Sequence, residues 1–163
     1  MMKRYVVAVL AAYVAWAYLA GTPAKAAEQQ QEFDALILGK SWHFGASRPT
    51  REMNGLNFGG GLEWRPAGGW IVGALTYRDS VRKQAVAAYG GYQFAFPVAA
   101  GVDLTATVRA GYLNGSEYNG LVAIPSVGVQ FQRVAFEGVY IPRGVGNTTN
   151  VHNIIMVFAR VRF

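Results

Sequence analysis

The feature that most constrains this chain is its last stretch, Val151–Phe163. Counting back from Phe163 in steps of two, Val161, Ala159, Val157 and Ile155 share one face, and none is charged. The opposite face holds Arg162, Arg160, Phe158, Met156 and Ile154. A period of two belongs to a β-strand, whose side chains point alternately to either side. The same division recurs upstream. Val102, Leu104, Ala106, Val108, Ala110 and Tyr112 oppose Asp103, Thr105, Thr107, Arg109 and Gly111. Leu56, Phe58, Leu62 and Trp64 oppose Asn57, Gly59, Gly61, Glu63 and Arg65. Charges sit on one face only, so the two faces must meet different surroundings.

The beginning of the chain says what those surroundings are. Met1–Arg4 is basic, Tyr5–Ala20 is apolar and uncharged, and Ala24-Lys25-Ala26 has the small-x-small form of a cleavage site. This is the pattern of a secretory signal peptide over 1–26. The apolar run, about 16 residues before Gly21-Thr22-Pro23, is short for a membrane-spanning helix. No later run is apolar over a helix-spanning length. Membrane insertion of the mature chain would therefore use strands, because only helices and closed barrels satisfy every backbone polar group in lipid. Residues 27–34 form a short polar segment, and the barrel is expected over 35–163.

Eight strand-like segments follow: Ala35–Gly45, Leu56–Arg65, Trp70–Arg78, Gln84–Phe94, Val102–Leu113, Leu121–Phe131, Arg133–Ile141 and Val151–Phe163. The gaps at Pro66–Gly69, Ala95–Gly101 and Gln132 are mostly tight. Those at Ala46–Gly55, Asp79–Lys83, Asn114–Gly120 and Pro142–Asn150 are mostly longer and more polar. Short turns on one side and long loops on the other are the habit of outer-membrane barrels. The fold expected is all-β: an eight-stranded antiparallel transmembrane β-barrel, monomeric, with both ends on the periplasmic side. A soluble lipocalin-type barrel has the same strand number and the opposite polarity. The aromatic segment ends (Trp42, Trp64, Trp70, Tyr92, Phe94, Tyr112, Phe163) and the export signal favour the membrane form. The terminal aromatic is then an address for the barrel-assembly machinery. Composition agrees: charged residues are 15% and aromatics 13%, little charge for a soluble domain. Without Lys3, Arg4 and Lys25 the formal charge falls from +6 to +3. No basic run interleaved with aromatics marks a nucleic-acid binder. Lys40 is the exception to one-sided charge, and a bulge or a snorkelling side chain would accommodate it.

The inward face is partly apolar. It offers Ile71, Gly73, Leu75 and Tyr77; Ala85, Ala87, Tyr89 and Gly91; Val122, Ile124, Ser126 and Gly128; and Ile154, Met156 and Phe158. An eight-stranded barrel is wide enough to be filled by side chains or to hold one small ligand. Tight packing and a lumen for a hydrocarbon chain both fit. Of the two histidines, His152 lies at the start of the last strand. His43 faces inward near the outer end, where Asp79 and Ser80 open a loop. A His, an Asp and a Ser at one mouth are the parts of an acyl-transfer site: a base, a hydroxyl and an orienting carboxylate. Asp-Ser in a loop is also ordinary turn chemistry, and no Gly-x-Ser-x-Gly elbow is present. No metal cluster, phosphate loop or dinucleotide fingerprint occurs, and no cofactor is expected.

At these residues the chain resembles the PagP family of outer-membrane lipid A palmitoyltransferases. The resemblance runs over about Leu36–Phe163. It rests on Ser41-Trp42-His43, Gly59-Gly60-Gly61-Leu62, Tyr77-Arg78-Asp79-Ser80, Ala88-Tyr89-Gly90, Ile124-Pro125-Ser126-Val127-Gly128, Tyr140-Ile141-Pro142 and the Asn-rich loop before the final strand. It implies an enzyme that moves palmitate from the sn-1 position of a phospholipid to lipid A, with the acyl chain inside the barrel. The family's catalytic residues match His43, Asp79 and Ser80, and its chain-length-selecting glycine matches Gly90 or Gly91. Its lateral lipid opening between strands six and seven matches Pro125 and Pro142, which lack the N–H that strand pairing needs. Ile154, Met156 and Phe158 become candidate walls of the acyl pocket. Two departures stand out. The family's amphipathic N-terminal helix is reduced to a few polar residues, and Leu38 and Leu56 stand where prolines would open a second gap. The expected activity is phospholipid-to-lipid A acyl transfer in the outer membrane. The alternative is a non-enzymatic small barrel with a structural or surface-binding role.

Overall fold

The computed structural model describes residues 31–45, 53–143 and 153–163. The expected signal segment, the first half of the polar stretch after it (27–30), and His152 lie outside the described residues. Eight strands run in order: β1 (Glu32–Phe44), β2 (Leu56–Arg65), β3 (Trp70–Arg78), β4 (Gln84–Ala99), β5 (Val102–Gly115), β6 (Tyr118–Phe131), β7 (Val134–Ile141) and β8 (Asn153–Arg162). Each pairs antiparallel with the next, and β8 pairs with β1, so the sheet closes into a barrel with no free edge. The start of β1 and the end of β8 lie at one end. The mouth at the other end carries the β1–β2, β3–β4, β5–β6 and β7–β8 connections.

β2 and β3 have the bounds the alternation predicts. Elsewhere boundaries differ, most at three places. β1 begins at Glu32 rather than Ala35, because Asp34 points inward and is held there by arginines. β4 runs to Ala99, so the gap expected at Ala95–Gly101 is mostly strand, with Pro97 near its end beside a register shift. The expected loop Asn114–Gly120 is a tight hairpin turn. Ser116 and Glu117 both take positive φ (55° and 63°), as primed two-residue turns require.

Polarity is that of a transmembrane barrel. Outside stand Ile37, Phe58, Leu62, Val72, Leu104, Val129, Phe136 and Val157, all exposed. Aromatics gird the belt. At the terminal end Phe33 stacks on Phe163 at 6.3 Å, and Trp70 meets Tyr92 edge-on at 5.2 Å. At the mouth Trp42, Phe44, Tyr112 and Tyr140 face outward. Inside, Asp34, Glu63, Arg65, Arg109, Glu137 and Arg160 are buried. A lipocalin-type barrel would have these two faces exchanged.

The lumen is divided along its length. Its terminal part is crossed by ion pairs. Asp34 pairs with Arg65 and Arg160, Glu63 pairs with Arg109, and Glu137 pairs with Arg109 at 2.8 Å and Arg160 at 3.0 Å. Three carboxylates thus face three guanidiniums, so the buried charge balances. Ser126 donates to Glu137 at 2.7 Å, and Gln93 accepts from Arg160 at 3.1 Å. Towards the mouth the lumen becomes apolar. Leu36, Leu38, Val139 and Phe158 form a buried cluster, with Leu75, Tyr77, Tyr89, Ile124, Ile141 and Met156 packed against it. Arg109 marks the border, its guanidinium 5.2 Å from the Phe158 ring centre and 5.9 Å from that of Tyr89.

Candidate functional site

The site begins with an irregularity in β1. Pairing with β8 is regular from Asp34–Arg162 to Leu38–Phe158, then slips before resuming at Ser41–Met156. Pairing with β2 slips at the same place, between Leu38 and Lys40. This bulge adds a residue, so the inward set changes from Asp34, Leu36 and Leu38 to Ser41 and His43. Without it, the leucines would face inward or the histidine would, not both. Lys40 stays outside, its Nζ 5.3 Å from the Trp42 ring centre. The bulge therefore places His43, while Lys40 is accommodated by reaching over an aromatic at the mouth.

His43 and Ser80 meet. His43 Nε2 lies 3.0 Å from Ser80 Oγ, although the residues come from different strand ends. Ser41 Oγ lies 3.1 Å from the same nitrogen. Both serines are buried. Ser80 is held from behind: its carbonyl accepts from Asn54 N–H at 2.8 Å, and Asn54 Nδ2 donates to the Asp79 carbonyl at 3.2 Å.

Asp79 is buried and bound by backbone donors. Its Oδ1 accepts from Val81 N–H at 2.9 Å and Lys83 N–H at 2.8 Å, and its Oδ2 accepts from Ser116 N–H. A carboxylate's lone pairs fit converging backbone donors, and here they join the β3–β4 turn to the β5–β6 hairpin. That clasp also explains how Ser116 and Glu117 keep positive φ without glycine.

The remaining expected residues fall into two groups. Ile154, Met156 and Phe158 face inward on β8. Met156 and Phe158 belong to the apolar cluster, and Ile154 stands opposite His43. Gly91 also faces inward, whereas Gly90 faces out. A Cβ on Gly91 would run into the Val108 carbonyl and come within 3.0 Å of Ile71; one on Gly90 would have only the Ile71 carbonyl near, at 3.8 Å. Pro125 is exposed on β6, and Pro142 follows the end of β7. Among the described residues, β6–β7 pairing stops at Ser126–Val139, although β6 extends back to Tyr118. Pro125 is the next residue towards the mouth and has no N–H to continue the ladder. Among the described residues, β6 is therefore unpaired with β7 from Pro125 towards the mouth. Between β1 and β2, pairing continues to Lys40–Leu56, and Ser41 N–H donates to the Gly55 carbonyl at 2.8 Å. That seam is closed, in keeping with Leu38 and Leu56 in place of prolines.

Two features were not singled out in the sequence. Ser41 shares the inward face with His43 only once the bulge is placed. The ion network needs Glu137 and Asp34, which lie on strands where the charge pattern alone does not reveal a partner.

No protein-family model matches the chain, and no curated protein matches it in sequence. Among solved structures it is similar to a transmembrane β-barrel from de novo design. The TM-score is 0.50 at 10% identity, over 84% of this chain and 100% of that one. It also resembles the N-terminal β-barrel domain of Pseudomonas aeruginosa OprF, with a TM-score of 0.46 at 12% identity, over 82% of this chain and 100% of that one. The likeness to the designed barrel is one of fold. With the outward apolar belt and the charged interior, it makes the chain a closed eight-stranded antiparallel barrel of the transmembrane kind.

Proposed function

We propose that this barrel is an outer-membrane acyltransferase, moving a palmitoyl-like chain from a phospholipid to lipid A. The observation that carries the reading is the contact of His43 Nε2 with Ser80 Oγ, 3.0 Å apart, at the mouth of an apolar lumen. A base and a hydroxyl within hydrogen-bond reach are the minimum for acyl transfer. An acyl chain laid against Leu36, Leu38, Val139, Met156 and Phe158 puts its ester at the level of that pair. The unpaired β6–β7 seam gives it a lateral way in from the bilayer, and the ion network closes the lumen below.

The chemistry balances as follows. The attacking hydroxyl gives its proton to His43 Nε2, and its oxygen bonds to the ester carbonyl carbon. The bond from that carbon to the glycerol oxygen breaks, and the leaving alkoxide takes the proton from the imidazolium. Products are a lysophospholipid and an acylated acceptor. Ser80 either attacks first and carries the acyl group, or donates its O–H to the oxyanion while the acceptor attacks directly. Asp79 supports the site by fixing the turn that presents Ser80. The alternative, a non-enzymatic small barrel, is favoured by one observation: the Asp79 carboxylate is engaged with three backbone N–H groups.

The test is chain transfer by purified protein from labelled phosphatidylcholine to lipid A. Wild type should transfer, while His43→Ala and Ser80→Ala should not. Equal inactivity of all three across several lipid conditions would end the enzyme reading. Equal activity would move the site elsewhere. An acyl adduct on the Ser80 peptide identifies the nucleophilic role.

A further inference from the structure

We propose that Ser41 is a positioning residue for His43, and that its hydroxyl stabilises the protonated imidazole during turnover. The proposal rests on the acyltransferase reading for its role in turnover, and on geometry for the interaction itself.

Two hydroxyl oxygens approach one ring nitrogen: Ser80 Oγ at 3.0 Å and Ser41 Oγ at 3.1 Å. A neutral Nε2 has a single lone pair and accepts one O–H well. With the second oxygen as close, its lone pairs face the nitrogen's lone pair unless its hydrogen also points there. A ring with hydrogen on Nε2, whether the neutral Nε2–H tautomer or the imidazolium, has no such conflict. Its Nε2–H points between two acceptor oxygens, and hydrogen bonds to an ionised group are stronger than neutral ones. The arrangement suits the state reached after His43 has taken a proton from the attacking hydroxyl.

The backbone supports a built arrangement. The β1 bulge turns Ser41 inward together with His43, and Ser41 N–H is tied to the Gly55 carbonyl at 2.8 Å. The serine is 4% exposed, so water competes poorly for its oxygen. When Ser80 moves to the carbonyl carbon or to the oxyanion, Ser41 still holds Nε2. The charged and titratable groups of neighbouring elements are accounted for. Tyr77 is on β3, Asp79 is bound to backbone N–H groups, and Lys40 reaches outward over Trp42.

The chain has two histidines, so His152→Asn leaves His43 as the sole imidazole in a nitrogen-15 spectrum. At about pH 5, where an ordinary imidazole is protonated, the His43 Nε2–H proton should exchange slowly and be visible. In Ser41→Ala it should broaden or vanish, and Ser41→Thr should restore it. An unchanged signal in Ser41→Ala overturns the proposal whether or not the protein transfers acyl chains. In the transfer assay, Ser41→Ala should lower kcat by roughly tenfold or more, the worth of one hydrogen bond to a charged group, with KM for the donor lipid unchanged. Loss in KM alone, or no rescue by Ser41→Thr, counts against it. If Ser41→Ala does not refold, Ser41→Cys keeps the volume with a weak acceptor and should show the same loss of signal. If wild type transfers nothing while the signal behaves as expected, the enzyme reading fails and the Ser41–His43 interaction stands.

Discussion

Replacing Arg109 by methionine removes the group on which the lumen's charge balance turns. Its guanidinium bonds Glu63 at 2.6 Å, Glu137 at 2.8 Å and Ser126 at 2.8 Å, and it lies beside the rings of Tyr89 and Phe158. Methionine fills much of the volume but leaves Glu63 without its closest cationic partner and Glu137 with Arg160 alone. Both carboxylates are buried. Breaking a buried ion pair by removing one partner costs about 3–5 kcal/mol. With two carboxylates affected, the loss should fall towards the upper end. Urea unfolding of the refolded barrel in lipid vesicles, followed by tryptophan fluorescence, reads this as a lower midpoint at unchanged slope. Adding Glu63→Gln to Arg109→Met should recover most of the loss, because Asp34 and Glu137 then face Arg65 and Arg160 and the buried charge balances again. A single variant within about 1 kcal/mol of wild type, the range of minor substitutions, would refute a paired interior. So would a double variant less stable than the single one.

Asp79→Ala should loosen two turns together, and faster amide exchange is expected at Val81, Lys83 and Ser116; change confined to the β3–β4 turn would contradict the clasp. Gly91→Ala should destabilise the barrel by about 1–3 kcal/mol, the usual range for overpacking, while Gly90→Ala should leave the urea midpoint unchanged. If the lumen holds the acyl chain, Met156→Trp should shift transfer towards shorter chains, read by mass spectrometry of products from mixed-chain donors. An unchanged product distribution would place the chain elsewhere.

The alternation legible in the sequence was enough for the barrel, because lipid outside and charge inside impose the same period on every strand. β2 and β3 keep it without interruption, and their bounds follow directly. β1 does not. Its bulge reverses the phase, so Leu36 and Leu38 share the lumen with Ser41 and His43, and only the misplaced Lys40 hinted at it. The ends of strands were harder for a different reason. Pairing in β4 and β5 continues through residues such as Pro97 and Gly115, whose local preference is for turns. The candidate site was visible as residue types, His43 with Asp79 and Ser80. Their roles were not, because a buried aspartate serves equally well to orient a base or to clasp backbone amides. The positions of Val81, Lys83 and Ser116 show the clasp. The ion network is not legible in the sequence because the pairs that cross the lumen join residues on different strands, from 23 to 126 positions apart.

The most direct measurement is the mass spectrum of lipid A from Gram-negative cells that lack any such transferase and express this chain. Their outer membrane is perturbed so that phospholipid reaches the outer leaflet. Wild type should add one acyl chain of palmitoyl-like length to lipid A, and His43→Ala and Ser80→Ala, folded to the same level, should add none. An unmodified lipid A with correctly inserted wild-type protein, or the same added chain in all three strains, would contradict the assignment of acyl transfer to this mouth.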